Sequence, residues 1–199
     1  MLKKIKTQLN KISKALVFLN SPEHYHSRVK HLKRRGMKIG KNVQILHDTI
    51  LDPSRAFLIE IGNNVTFAPR CHILTHDASM NIFQKKTRIG KVKIKDNCFI
   101  GAGTIILPNV TIGPNSIIGA GSVITKNVPE NSVIAGNPAK LICSLEKFLK
   151  KHDSLSEQHP NYPYPEFHGN WISKENASKM QKELDNTFGY STTSKNDIE

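Results

Sequence analysis

The sequence predicts an all-β solenoid with helical extensions at both ends, and three observations carry that prediction. Six isoleucines, Ile94, Ile100, Ile106, Ile112, Ile118 and Ile124, stand six residues apart without a miss. Four places after each comes a small or medium residue: Cys98, Thr104, Val110, Ser116, Ser122 and Val128. Turn formers, as Gly-Ala-Gly, Pro-Asn and Gly-Pro-Asn, recur between them. A helix cannot use a strict period of six, because six residues carry the side chain roughly 240° around the axis. A simple strand would alternate with period two. A chain that turns a corner every six residues satisfies all three facts. Each aliphatic points into a triangular prism, the small residue fits near the corner, and Gly or Asn takes the turn. Three sides make a coil of eighteen, and coils stack through backbone hydrogen bonds.

The elements follow in chain order. Residues 1–36 read as basic helices. Leu2, Ile5, Leu9, Ile12, Leu16 and Leu19 share one helix face. Ser21-Pro22-Glu23 then has the form of a second helix start, and Gly36 of its end. Residues 37–142 are the coil. Ile39, Ile45, Ile61, Phe67 and Ile73 carry the period before Ile94, but 52–60 does not hold register and no hexad fits from Asp77 until Ile94. A loop thrown out near 77–93 is expected. Residues 143–199 form a C-terminal extension. A short helix is expected over 144–152, an extended segment over His159–Pro165 because of its three prolines, a last helix over 173–186, and a disordered tail from Ser191.

Composition narrows the function classes. Apolar residues are 38% of the 199, below the usual share, which fits a thin core. No stretch reaches 18 apolar residues, so no transmembrane helix is expected. The run Ala15–Leu19 is too short for a signal-peptide core. Three cysteines without C-x-x-C spacing argue against a disulfide framework and fit a reducing cytoplasm. The net charge is +13, yet residues 1–41 hold twelve Lys and Arg against one acid, Glu23. The basic character therefore belongs to the N-terminal segment. It suits peripheral contact of residues 1–35 with an anionic membrane, and no nucleic-acid partner is expected.

The stretch IKDNCFIGAGTIILPNVTIGPNSIIGAGSVITKNVPENSVIAGNPAKLI, residues 94–142, resembles the hexapeptide-repeat acyltransferases. Among them it looks closest to the bacterial surface-polysaccharide and sugar O-acetyltransferases. The resemblance covers residues 37–142. It implies a left-handed parallel β-helix, a homotrimer, and acetyl-coenzyme A as co-substrate lying between neighbouring subunits, with no metal required. The implied acceptor is a hydroxyl of a sugar, of a lipid-linked saccharide or of another polysaccharide precursor.

Site residues follow from the same resemblance. His76, in Leu74-Thr75-His76-Asp77-Ala78-Ser79, resembles the catalytic base, and it sits where the coil register fails. A neutral imidazole can take the proton of an attacking hydroxyl, and no covalent acyl-enzyme is then needed. Such a base needs an orienting carboxylate, for which Asp52, Asp77 and Asp48 are the candidates. Ala102 and Ala120 resemble positions that contact the pantetheine arm. Thr125 and Lys126 resemble the pair beside the pyrophosphate and adenine, and Lys140 resembles a basic residue reaching the 3′-phosphate. Two readings compete. A zinc carbonic anhydrase-like site would need three imidazoles, for which His47, His72 and His76 are on offer. A non-catalytic scaffold would need neither the base nor the basic residues at the end of the coil. A change of acceptor to an antibiotic or amino sugar would keep the chemistry.

Overall fold

The computed structural model describes residues 22–167 and 172–192. The expected helix over 2–19, its successor's Ser21 cap and the tail from 193 lie outside the described residues. The chain forms two compact units, Met1–Leu145 and Glu146–Glu199.

The first unit is a coil of three parallel sheets. One sheet stacks Lys38–Ile39, Ile59–Ile61, Val92–Ile94 and Val110–Ile112. The second stacks Gln44–Ile45, Thr66–Phe67, Phe99–Ile100, Ile117–Ile118 and Ser132–Gly136. The third stacks Ile50–Leu51, His72–Ile73, Ile105–Ile106 and Val123–Ile124. Ile94 pairs with Ile112, Ile100 with Ile118 and Ile106 with Ile124, each eighteen residues on. All six of the periodic isoleucines are buried, at 2% exposure or less. The small positions Cys71, Cys98, Thr104, Ser116 and Ser122 are buried beside them. Buried hydroxyls there are satisfied locally: Thr104 Oγ1 donates to the Gly101 carbonyl at 2.7 Å and Ser122 Oγ to that of Gly119 at 2.5 Å.

The corners explain the turn residues. Asn42, Asn64, Asn97, Asn115 and Asn131 all have φ between 51° and 56°, the left-handed region that asparagine tolerates. They lie on one edge, and each side-chain amide donates to the next along it. The distances are 3.2 Å from Asn42 to Asn64, then 3.0 Å from Asn64 to Asn97, Asn97 to Asn115 and Asn115 to Asn131. One residue type thus supplies both the turn and a ladder that ties five coils together.

Three departures from eighteen shape the molecule. Ile39 pairs with Ile61, twenty-two on, and the excess is taken up by Asp52–Leu58, including a 3-10 turn at Ala56–Leu58. Ile61 pairs with Ile94, thirty-three on, and the excess leaves the coil as an arm. The arm runs from His76–Asp77, paired antiparallel with Arg88–Ile89, around a short helix Asn81–Gln84. The Gly90 amide closes its base on the Thr75 carbonyl at 3.0 Å. The expected loop near 77–93 thus begins and ends earlier, because Val92 already pairs with Ile59 in the coil. Ile118 pairs with Ile134, only sixteen on, and strand Ala139–Ser144 then folds back antiparallel and ends the repeat.

The N-terminal side of the coil is closed by the helix Pro22–Arg34. Its end is a Schellman motif: the Gly36 amide reaches the Lys33 carbonyl at 2.9 Å and the Met37 amide that of Leu32 at 3.1 Å. Leu32 and Met37 are both 4% exposed and join the core.

In the second unit, helix Leu145–Gln158 runs past the expected 144–152. Helix Lys174–Glu183 starts at Ser173, whose Oγ accepts from the Asn176 amide at 3.1 Å. The extended segment supplies a strand, Asn161–Tyr162, paired with Tyr190–Ser191. Ser191 is therefore held in a strand pair, where a disordered start of the tail was expected, because the Thr192 amide also reaches the Tyr162 carbonyl at 3.1 Å. No helix among the described residues is long and apolar enough to cross a membrane.

Candidate active site

The site is built where the two insertions meet. Asp52 follows strand Ile50–Leu51, and its amide donates to the Ile73 carbonyl at 3.0 Å. That register stacks Asp52 against the residues leaving His72–Ile73, which are Leu74, Thr75 and His76. His76 Nδ1 lies 2.6 Å from Asp52 Oδ2. The same oxygen accepts from the Thr75 amide at 3.1 Å and from Thr75 Oγ1 at 2.5 Å. The other oxygen, Oδ1, accepts from the Ser54 amide at 2.9 Å and from Ser54 Oγ at 2.6 Å.

Electrostatics sharpen this arrangement. The Asp52 side chain is 3% exposed and that of His76 36%. Burial by itself pushes the Asp52 carboxyl up. Hydrogen bonds from the Ser54 hydroxyl, the Thr75 hydroxyl, the His76 ring and the Ser54 amide outweigh it and hold the group far below the usual carboxylate range. An ionised carboxylate is acceptor-only, so the ring nitrogen facing it, Nδ1, carries hydrogen. In the neutral ring, Nε2 then keeps its lone pair. Nε2 has no hydrogen-bond partner among the described residues, and the ring is half-exposed at the edge of the coil.

Asp77 does not fill the orienting position. It is the first residue of the arm beyond His76, and its Oδ1 accepts from the Ser79 amide at 2.9 Å while Arg88 lies 3.6 Å from Oδ2. The alternation of the strand turns its side chain away from the Asp52 side. Asp48 stands at a corner with φ 59° and meets His47 at 3.2 Å. His72 sits in strand His72–Ile73, on the position beside buried Ile73, and His47 precedes the corner at Asp48. Among the described residues no three His, Cys, Asp or Glu side chains converge on one point. Thr75 and Ser54 were not anticipated. Asp-Pro-Ser is a recognisable turn motif, but only the stacking of coils brings Thr75 onto the same carboxylate.

The residues expected to hold the coenzyme divide between two edges of the third sheet. Ala102 and Ala120 stack at its leading edge, where the Gly121 amide donates to the Ala102 carbonyl at 2.8 Å. The following Gly103 and Gly121 both have φ +69°, and a Cβ built on either would meet nothing. Glycine and alanine therefore leave this edge as a bare strip. Gly136, two residues past Ile134 as Ala120 is past Ile118, continues the column, and the adjacent Ala135 pairs with Lys140, which is exposed. Thr125 and Lys126 lie at the trailing edge, both exposed. They share that edge with His76, two coils on, which is roughly 10 Å at the spacing of neighbouring strands. The six residues from Ala102 to Pro108 separate the two edges by up to about 20 Å. One chain therefore does not bring all five to the imidazole.

The family described as "Bacterial transferase hexapeptide (six repeats)" matches residues 91–126. The protein CapG of Staphylococcus aureus is 42% identical over 125 residues, 60% of this chain and 73% of that protein. A galactoside O-acetyltransferase of Lactococcus lactis is 37% identical over 114 residues, 56% of this chain and 52% of its own. The crystal structure of a maltose O-acetyltransferase from Clostridium difficile 630 aligns with a TM-score of 0.53 at 31% identity, covering 68% of this chain and 84% of that one. With its six-residue sides, its coil of parallel strands, and galactoside and maltose O-acetyltransferases among the proteins it is similar to, the chain belongs to the hexapeptide-repeat transferases and is an acyltransferase.

Proposed function

We propose that the protein transfers an acetyl group from acetyl-coenzyme A to a hydroxyl of a sugar or polysaccharide precursor, with His76 as general base. The observation that carries this reading is the ring held by Nδ1 on a buried, ionised carboxylate with Nε2 free at the coil edge. A sugar hydroxyl attacks a thioester poorly because its proton stays on through the approach. Nε2 accepts that proton as the hydroxyl oxygen bonds to the thioester carbon. The C–S bond then breaks, and the same imidazolium returns the proton to the departing thiolate. Asp52 holds the ring and stabilises its positive charge in passing. The products are an acetyl ester and the free thiol, and no acyl-enzyme is formed.

The donor fits the bare Ala102–Ala120 strip, where nothing obstructs an extended arm, with Lys140 continuing that edge. Thr125 and Lys126 supply a hydroxyl and a charge on the edge that carries His76. Two edges of one chain cannot close on one thioester, so the cleft takes its leading edge from one subunit and its trailing edge from the next. In this reading the coil is left-handed and three copies close a ring. The outward residues support it: the first sheet presents Lys38, Glu60, Lys93 and Thr111, whereas the third, past its first coil, presents His72, Ile105 and Val123. A polar face suits water, and an apolar one suits a neighbouring copy. The basic N-terminal segment suits work beside an anionic membrane that carries lipid-linked acceptors.

A transfer screen tests the function: acetyl-coenzyme A with a panel of sugars and lipid-linked oligosaccharides, read by thiol release and by mass. A gain of one acetyl group on a glycan is expected. Thiol release that is independent of every glycan would refute the acceptor class. Mixing tests the shared cleft. His76→Ala and Ala120→Trp chains, each inactive alone, are unfolded and refolded together. About a quarter of the clefts then pair an intact leading edge with an intact trailing edge, and a matching fraction of activity is expected. No recovery would place both edges of the site on one chain.

A further inference from the structure

The helix Pro22–Arg34 does more than cover the end of the coil. Between it and the first coil lies a cleft of about 350 Å³, lined from the helix by Ser27, Arg28 and His31 and from the coil by Ile50, Leu51 and Pro53. Its floor is apolar: Leu51 is 3% exposed and Leu32 4%, while Ile50 presents a free surface at 44%. One wall is cationic. Arg28 Nη2 donates to the Thr49 carbonyl at 2.9 Å, which anchors the guanidinium on the coil. Among residues 27–167 and 172–192 its other N–H groups have no acceptor, and no carboxylate lies within ion-pair distance of it. A guanidinium fixed by one bond and open on its remaining donors presents a fork that matches a planar or tetrahedral oxyacid.

The position of the cleft is what gives it meaning. Asp52 stands in sequence between Leu51 and Pro53, which line the cleft, and holds the His76 ring at 2.6 Å. One Cα step of about 3.8 Å, a side chain and that bond put the Pro53 rim within roughly 10 Å of the imidazole. The strip and edge that suit the coenzyme, Ala102, Ala120, Thr125 and Lys126, all belong to later coils than His76. The cleft belongs to the first coil, on the other side of it. A thioester that approaches the base from the later coils leaves only the N-terminal side for the attacking hydroxyl.

We infer that this cleft is the acceptor subsite, and that it selects a sugar bearing an anionic oxyacid group, a carboxylate or a phosphate, which Arg28 holds while the ring lies against Ile50 and Pro53. The inference rests on the acyl-transfer reading of His76 for its placement, but binding can be measured without turnover. The helix thereby becomes a specificity element, and the basic residue at its middle acts in recognition.

The test is calorimetric binding of galacturonate, galactose 1-phosphate and galactose to the full chain with coenzyme A present. Both anions are expected to bind at least about 10-fold more tightly than galactose, as charge-assisted hydrogen bonds would give. The tighter of the two identifies the carboxylate or the phosphate as the natural group. Arg28→Met is expected to erase the preference, with folding checked by the thermal transition. Arg28→Lys keeps the charge and loses the fork, so it is expected to weaken anion binding several-fold and serves if the methionine variant does not fold. His76→Ala is expected to leave anion binding intact. Equal binding of the three sugars, or a preference that survives both Arg28 variants, would overturn the subsite. A His76→Ala protein that still turns over would instead overturn the mechanism and leave the binding result standing, so the two failures can be told apart.

Discussion

Replacing His76 by alanine is expected to lower kcat/KM for acetyl transfer by roughly 10²–10⁴-fold, the usual worth of a positioned general base. The ring is 36% exposed and stands at the foot of the arm, outside the isoleucine column. Its removal therefore leaves the core intact, and little change in the thermal transition is expected. Coenzyme binding should also persist, since the Ala102–Ala120 strip and Lys140 lie on the other edge. The split is the diagnostic: the Kd for coenzyme A stays within a factor of two or so of the parent while the transfer rate collapses. His76→Asn gives a sharper control, because its amide can still donate to Asp52 but offers no base. It should be as inactive as the alanine variant. Retained turnover in either variant would remove the proposed chemistry.

The second large effect falls on Asp52. Asp52→Asn is nearly isosteric, yet five donors converge on the carboxylate: the amide and hydroxyl of Ser54, the amide and hydroxyl of Thr75, and the His76 ring. An asparagine supplies one acceptor oxygen and one NH₂. Whichever way it turns, the NH₂ faces a backbone N–H, that of Ser54 or that of Thr75. A donor left unsatisfied at this buried position costs about 1–3 kcal/mol, to be read from urea unfolding at neutral pH. If the NH₂ faces His76, it donates to Nδ1 and drives the proton to Nε2, which abolishes the base. If the oxygen faces His76, the tautomer survives but the imidazolium loses its counter-charge. A fall in kcat on the order of 10²-fold is expected in either geometry.

The same substitution has a pH signature. The folded protein holds the Asp52 carboxyl below its unfolded value. Its contribution to stability is therefore fully present above about pH 4 and is lost as pH falls through the folded value. The parent should lose stability between pH 5 and pH 2.5 partly through this group. The Asn variant, less stable at pH 7, should show a shallower decline over that window. Parallel declines for the two proteins would mean that Asp52 is not held ionised in the fold.

The period of six was enough to determine the coil. An aliphatic every sixth residue has one geometric solution that buries every copy, a three-sided prism. Asparagine and glycine at the corners are the residue types that accept φ near 50–70° without strain. These are local rules, repeated, so they are legible one hexad at a time. The site is legible only in part. His76 could be singled out by the family resemblance together with the break of register beside it, and Asp52 as one of three candidate carboxylates because it falls in the earlier break.

The choice between Asp52 and Asp77 was beyond any local reading. Asp77 is adjacent in sequence, but the antiparallel arm turns it to Ser79 and Arg88. Asp52 is twenty-four residues away and arrives because a twenty-two-residue coil stacks it beneath Leu74 and Thr75. The division between two edges of the residues expected to hold the coenzyme has the same origin. Sequence order places Ala102, Ala120, Thr125 and Lys126 in one short stretch, whereas the turn of the prism sends them to opposite edges of a sheet. Corners and burial follow from spacing along the chain. Which side chains meet across coils follows from the lengths of the insertions, and only the stacked backbone adds those up.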